Sequence, residues 1–431
     1  MTFLALVRFL SLVLLPSLFI AACGGGGEPS GEEGPLTGEL REMLDEVAAA
    51  RGLEAPTDLR VQAVAPEDVV DVYTGLIDEE DREALQEGGA LYQLLGYIEP
   101  DETYWDVTVS TAGLWIGFYS YEDKTLWVVT EEEEVDLDAL SEEERGTLAH
   151  EMLHAVQDHN FGLRRSGSRT ASTLDGGLAW RSVVEGDAML STSLWRPHTF
   201  LRPAGGVDGP VLLLANVGQE PMDPQIERAL LFPYISGEIA MRRLVDREGV
   251  EALNQLYDLP PPSTAHILHS HLLGSDWLPE SVSHLLPVGA ISQSLGFGWT
   301  EMESGVLGEF HLVNYLLGKR PGYPWHWGTY YRAEDAGEGW RGDYYRLFEN
   351  DEELVLVVVA RFESDPDARE FEYVHQEALR GEAAVEGPYT FVTRDDGHVV
   401  ARVAPVGRTV FFAIGTSAEV ARAALEAMVK G

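Results

Sequence analysis

The stretch from Ser141 to Phe161 constrains this chain more than any other part of it. Ser141-Glu142-Glu143-Glu144 has the form of a capping box, in which the hydroxyl of Ser141 and the carboxylate of Glu144 each accept from an orphan backbone N–H. A helix is therefore expected from about Glu142 to Asn160, and inside it stands His150-Glu151-Met152-Leu153-His154. Residues four apart share one face of a helix, so both imidazoles can reach a single ion. Neutral imidazole is a good ligand for Zn²⁺, and two helical ligands leave room for a third and for water. Glu151 lies beside that face, where it can take a proton from a zinc-bound water and pass it to a leaving amine. Zinc lowers the pKa of such a water to roughly 7, which makes a nucleophile available at neutral pH.

The third ligand separates the classes of site. The spacing HExxHxxGxxH fails, because Gln157 and Asn160 occupy its last two positions and His159 is out of step by one. A glutamate on a second helix fits better. Val183-Val184-Glu185-Gly186-Asp187-Ala188 falls on a helix expected from Gly177 to about Trp195, and Gly186 permits close approach of a neighbouring helix. Asp175 and Asp187 are rival acids nearby. Asp187 or Asp158 is a candidate to orient a ligand imidazole from behind.

The amino terminus addresses a different question. Arg8 precedes an apolar run from Phe9 to Ile20, too short for a membrane span and typical of a secretory signal. Ile20-Ala21-Ala22-Cys23-Gly24 resembles a lipobox, which implies removal of residues 1–22, lipidation of Cys23 and a flexible tether over 23–36. Export with a lipid anchor in the cell membrane, facing the extracytoplasmic side, is the expectation. Cys23 is the only cysteine, so no internal disulfide framework exists. With 72 acidic against 30 basic residues and a formal net charge of −42, the surface repels phosphate backbones, and a nucleic-acid partner is excluded as a working idea.

Periodicity organises the rest. Helical spacing recurs around Leu40–Val47, Pro66–Gly75, Glu79–Gly96 and Pro233–Tyr257, with an extended piece at Leu59–Val64. Leu114–Tyr121 and Thr125–Thr130 read as a β-hairpin, and the second of these is a candidate edge strand for an extended peptide. Loops are expected at 162–172 and 197–224. Beyond 276, strands are expected at Tyr344–Phe348, Leu354–Phe362, Tyr389–Thr393, His398–Val403 and Thr409–Ile414, with helices at Asp365–Leu379 and Ser417–Met428.

Leu148-Ala149-His150-Glu151-Met152-Leu153-His154-Ala155-Val156-Gln157-Asp158-His159-Asn160-Phe161 resembles the HELxHALQDQHF signature of a family of bacterial zinc metallopeptidases, many of them lipoproteins. Val184-Glu185-Gly186-Asp187-Ala188, Pro233-Tyr234-Ile235-Ser236-Gly237, the segment Pro262–His269 and Gly339-Trp340-Arg341-Gly342-Asp343 resemble further stretches of the same family. His159 and Arg341 depart from it, standing where glutamine and glycine are usual. The resemblance implies a gluzincin-type site with His150, His154 and Glu185 as zinc ligands and Glu151 as base. It supplies a chemistry and no substrate beyond a peptide or protein.

Thermolysin-like gluzincins use a His or Tyr to stabilise the oxyanion, and His269 and Tyr234 are the candidates here. The expected fold class is α+β: a zincin-like catalytic domain over 37–275, with a small sheet and active-site helices, then an antiparallel α+β region over 276–431. The rival function is a non-catalytic surface lipoprotein that uses such a fold as a binding or assembly module. Another zinc-dependent hydrolysis, of an amide in a cell-wall peptide, is a third.

Overall fold

An amphipathic helix, α1 (Gly38–Arg51), buries Met43, Leu44, Val47 and Ala48 along one stripe, the spacing that a helix packed on a core requires. The structure, a computed structural model, describes residues 36–163, 173–195, 222–319 and 331–430, apart from positions 37, 114, 122, 133, 134, 139 and 380. The expected signal segment 1–22, Cys23 and all but the last residue of the tether lie outside these residues, as do most of the loops expected at 162–172 and 197–224. No helix among the described residues is long and apolar enough to cross a membrane.

After α1 come β1 (Arg60–Val64), α2 (Val69–Gly75), α3 (Glu79–Glu87), α4 (Ala90–Leu95), α5 (Tyr104–Ala112), β2 (Gly117–Ser120), β3 (Thr125–Val129), α6 (Glu142–Phe161), α7 (Leu174–Trp195), α8 (Pro224–Glu248) and α9 (Val250–Asp258). The single helix expected over Glu79–Gly96 is divided into α3 and α4, because Gly88 is extended and Gly89 takes a φ of 140°. Helix α8 starts at Pro224, well before Pro233. Asp223 caps it by accepting from the N–H of Gln225 (2.8 Å), and Pro224 suits the first turn, where a missing N–H costs nothing. Gly249, with a φ of 87°, separates α8 from α9.

The first sheet has the order β1-β3-β2. Strands β2 and β3 form the expected antiparallel hairpin, but β1 pairs in parallel with the other side of β3. Strand β3, read from sequence as an edge, is therefore central. The edge beside α6 is β2.

The chain continues through one helical turn at Ala265–Leu268, then α10 (Val288–Leu295), β4 (Thr300–Gly305), α11 (Gly308–Leu317), α12 (Tyr331–Gly337), β5 (Trp340–Glu349), β6 (Leu354–Phe362), α13 (Asp365–Ala378), β7 (Glu382–Glu386), β8 (Tyr389–Thr393), β9 (Val399–Val403), β10 (Thr409–Gly415) and α14 (Ala418–Lys430). The strands make one antiparallel sheet in the order β4-β5-β6-β10-β9-β8-β7. The molecule is thus mixed α and β with an antiparallel carboxy-terminal sheet. Strand β6 shows why it sits centrally: Leu356, Val358, Ala360 and Phe362 join one core, while Val355, Val357 and Val359 join another. A strand covered on both faces reads as an unbroken apolar run. Each such fully buried Val, Leu or Phe side chain contributes roughly 1.5–3 kcal/mol of transfer free energy. The core on one face is shared with Trp180, Val183 and Val184 of α7, so apolar packing is continuous across the boundary expected at 275 and 276.

Helices α7 and α8 form the most extensive helix–helix interface. They cross at two glycines. A Cβ at Gly186 would stand 2.3 Å from the carbonyl carbon of Gly237, and one at Gly237 would stand 2.3 Å from the carbonyl oxygen of Ser182. Those distances leave no room for any side chain, so the backbones are in direct contact one residue from Glu185.

Candidate metal centre

The capping box that predicted α6 is present: Ser141 Oγ accepts from the N–H of Glu144 (3.2 Å), and Glu144 Oε2 accepts from that of Ser141 (2.7 Å). One helical turn separates His150 from His154, and both are completely enclosed. Opposite them α7 presents Glu185, 1% exposed. The three meet closely. His150 Nε2 and His154 Nε2 are 3.0 Å apart, and Glu185 Oε2 lies 3.1 Å from the first and 3.2 Å from the second.

A tetrahedral zinc ion with donors about 2.0–2.1 Å away holds those donors about 3.3 Å from one another. The observed triangle has that size. Its chemistry also suits a cation, because three lone-pair-bearing atoms converge and one N–H can point at only one other corner. An ion on the axis of the triangle satisfies all three at once. The residues present therefore fit a zinc ion.

Behind His154, Gln157 fixes the ring. Its amide N–H donates to the carbonyl of Val184 (3.0 Å), so its oxygen is left to accept from His154 Nδ1 (2.9 Å). Nδ1 thus carries the proton and Nε2 turns its lone pair to the triangle. Such outer partners matter to a metal site. Replacing Gln157 by leucine is expected to weaken zinc affinity about 10–100-fold, read by competition with a chelator. An unchanged affinity would remove Gln157 from the account. The two acids considered for this task serve elsewhere. Asp187 accepts from Arg51 Nε (2.7 Å), Tyr257 (2.7 Å) and Ser191 (3.0 Å), which ties α1 and α9 to α7. Asp158 takes Tyr119 Oη (3.2 Å), the N–H of Leu163 (3.1 Å) and Lys124, which pins the hairpin to α6. His150 Nδ1 is buried with no hydrogen-bond partner.

Glu151, 4% exposed, accepts through Oε2 from the backbone N–H of Tyr119 on the edge strand β2 (3.1 Å). Its ligand atom and those of His150 and His154 all lie within 4.8 Å of one another, so its carboxylate shares the space the imidazoles face. Burial pushes Glu151 up to about 8, with repulsion from Glu185 adding to it against the attraction of His154. Burial also drives His150 down to about 4. His154 moves the other way: burial opposes its charge, but Glu185 outweighs that and lifts it to about 9. Burial would raise Glu185, yet His154 and the hydrogen bonds from both rings hold it well below the usual carboxylate range.

Of the two oxyanion candidates, the structure brings one to the site. The ring of Tyr234 on α8 is 6.0 Å from that of His150, centre to centre, and is buried against Met189. His269 is not brought there. Its Nε2 bonds both oxygens of Glu309 (2.9 and 3.0 Å) at a separate cavity, lined by none of His150, Glu151, His154 or Glu185. Sequence reasoning missed Arg181, one helical turn before Glu185 and 2% exposed, whose charge acts on Tyr234 and Glu185. Its i, i+4 relation to Glu185 was the available signal.

A family model described as a domain of unknown function (DUF8575) matches residues 295–425, which span β4 to β10 and most of α14. The His–Glu–His cluster lies outside that match. No curated protein and no solved structure matches the chain.

Proposed function

We propose that this chain is a zinc-dependent metallopeptidase of the gluzincin type, tethered outside the cytoplasm through a lipidated Cys23. The triangle of His150 Nε2, His154 Nε2 and Glu185 Oε2, with edges of 3.0 to 3.2 Å, is the observation that carries the reading. A buried carboxylate beside such a triangle distinguishes a hydrolytic site from one that only stores an ion. The small sheet flanking α6, with the third ligand on the following helix, supports a zincin-like catalytic half.

His150, His154 and Glu185 would hold the ion, which supplies Lewis acidity and makes water a nucleophile near neutral pH. The hydrogen bond from Tyr119 N–H holds Glu151 by Oε2 and leaves Oε1 to move a proton. That oxygen takes a proton from the attacking water and gives it to the departing amine nitrogen. Tyr234 and the buried charge of Arg181 would favour the negative oxygen of the tetrahedral intermediate. An extended peptide would lie along β2, whose side away from β3 borders Glu151.

A second reading has one observation in its favour. His150 and His154 are 0% exposed, as in a closed site where an ion only braces two helices. That matches a non-catalytic surface lipoprotein. A peptide-library digest with the wild-type protein and Glu151→Gln separates the two. Cleavage that disappears in the variant supports the peptidase, and no cleavage by a zinc-loaded wild type leaves the binding module.

Zinc uptake is also expected to release protons. In the ion-free protein His154 keeps its proton up to about pH 9, whereas His150 is neutral above about 4. Loading at pH 7 must expel one proton from His154, and the charge of the ion favours loss of a second from Glu151, which is protonated below about 8 in the ion-free protein, so affinity falls at least about tenfold per unit as pH drops below 9. Below about 4 the slope steepens as His150 also protonates. Calorimetry in buffers of different ionisation enthalpy reads the release, and proton-neutral uptake at pH 7 would contradict it.

A further inference from the structure

The cavity beside His269 is independent of the metal centre and has a chemistry of its own. It is a pocket of about 160 Å³ that opens to solvent. Leu268, Phe310, Val313 and Leu317 give it apolar walls, while Arg228, His269, Glu309, Glu334 and Glu338 bring charge to it.

An account of those charges leaves a deficit. Arg228 is spent on the protein, its Nε on Asn314 Oδ1 (2.6 Å) and its Nη2 on the carbonyl of Gly318. Glu309, 4% exposed, is matched by His269 through both carboxylate oxygens. Glu334, part-buried on α12, and Glu338, exposed one residue past its end, have no salt bridge among the described residues, though Glu338 adds to the negative field at His269. Glu334 Oε1 is buried with no hydrogen-bond partner at all. Burial pushes Glu334 up to about 7, with repulsion from Asp335 and Glu338 adding to it. A buried, unpartnered carboxylate oxygen costs free energy unless something donates to it.

Among the described residues, the group of three ligand atoms that gathers within 4.8 Å as a metal site requires is found around His150 and not at this cavity. Carboxylates at one side of an apolar chamber call for a cation with a hydrocarbon body.

We propose that this cavity binds a primary ammonium carried on a short alkyl chain, with the ammonium between Glu334 and Glu338 and the chain against Leu268, Phe310, Val313 and Leu317. Two sources share that chemistry, a free alkylamine and a lysine side chain of a peptide.

The test is calorimetric titration of the full-length protein with n-butylammonium and with N-acetyl-lysine amide. Their neutral counterparts, n-butanol and N-acetyl-norleucine amide, serve as controls. Saturable binding of butylammonium, at least about tenfold tighter than butanol, is expected, since a charge-assisted hydrogen bond is worth about that factor. Glu334→Gln and Glu338→Gln should each weaken it about tenfold. Glu338 is exposed and Glu334 only part-buried, so thermal melting of each variant should match the wild type and exclude a folding defect. Tighter binding of the lysine amide than its norleucine counterpart assigns the site to peptides; binding of the simple amine alone assigns it to free amines. Equal binding of amine and alcohol, no binding of either amine, or affinities unchanged in both variants would overturn the proposal. Binding of Ca²⁺ or Zn²⁺ that both substitutions abolish, without amine binding, would overturn it in favour of a metal. None of these outcomes depends on the centre at His150.

Discussion

Glu151→Gln should reduce peptide hydrolysis by about 10²–10⁴-fold while leaving the zinc content of the protein unchanged. The amide has nearly the shape of the carboxylate and keeps an oxygen for the N–H of Tyr119, so the contact between α6 and β2 survives. What it cannot do is accept a proton. The ligand atoms come from His150, His154 and Glu185, none of which is altered. Cleavage rates at matched zinc loading, with near-identical melting temperatures, make the comparison. A variant that keeps more than about a tenth of the activity would show that Glu151 is not the proton carrier.

Gly237→Ala and Gly186→Ala are expected to be the most disruptive small substitutions in the molecule. Each methyl would lie 2.3 Å from backbone atoms of the facing helix, which cannot rotate aside as a side chain would. The helices must separate, and the penalty is expected to exceed the usual overpacking cost of about 1–3 kcal/mol. Because Glu185 precedes Gly186, separation also draws the third ligand away from α6. Chemical denaturation should show the loss of stability, and the folded fraction of either variant should bind zinc more weakly. Wild-type stability in both variants would mean that the two backbones are farther apart than described.

The residues that act through local chemistry were the legible ones. The capping box at Ser141, the i, i+4 histidines and the glutamate on the next helix could be read because each depends on spacing along one or two helices. Gly186 could be read for the same reason, though its partner Gly237 could not, since nothing local says which helix crosses α7. The apolar runs of β6 and β10 announced strands, and burial on both faces is why those runs are unbroken. Strand β7 did not, because Glu382–Glu386 is exposed at every position and carries no apolar rhythm. Placement in space was the harder part. His269 follows the ligand helices in sequence and was a reasonable oxyanion candidate, yet Glu309, 40 residues later, claims its Nε2. Asp187 stood two residues from Glu185, but Arg51 and Tyr257 arrive from distant helices to take its oxygens. Strand β3 looked like an edge because its parallel partner β1 lies some sixty residues upstream, with five elements between them.

Zinc content of the purified protein, set beside His154→Ala and Glu185→Ala, tests the central claim most directly, and it requires no substrate. About one zinc per chain in the wild type, lost or much weakened in both variants, is the predicted result. Full zinc retention by Glu185→Ala would contradict the triangle, and a wild-type protein that binds no zinc even when it is supplied would contradict the metal centre as a whole.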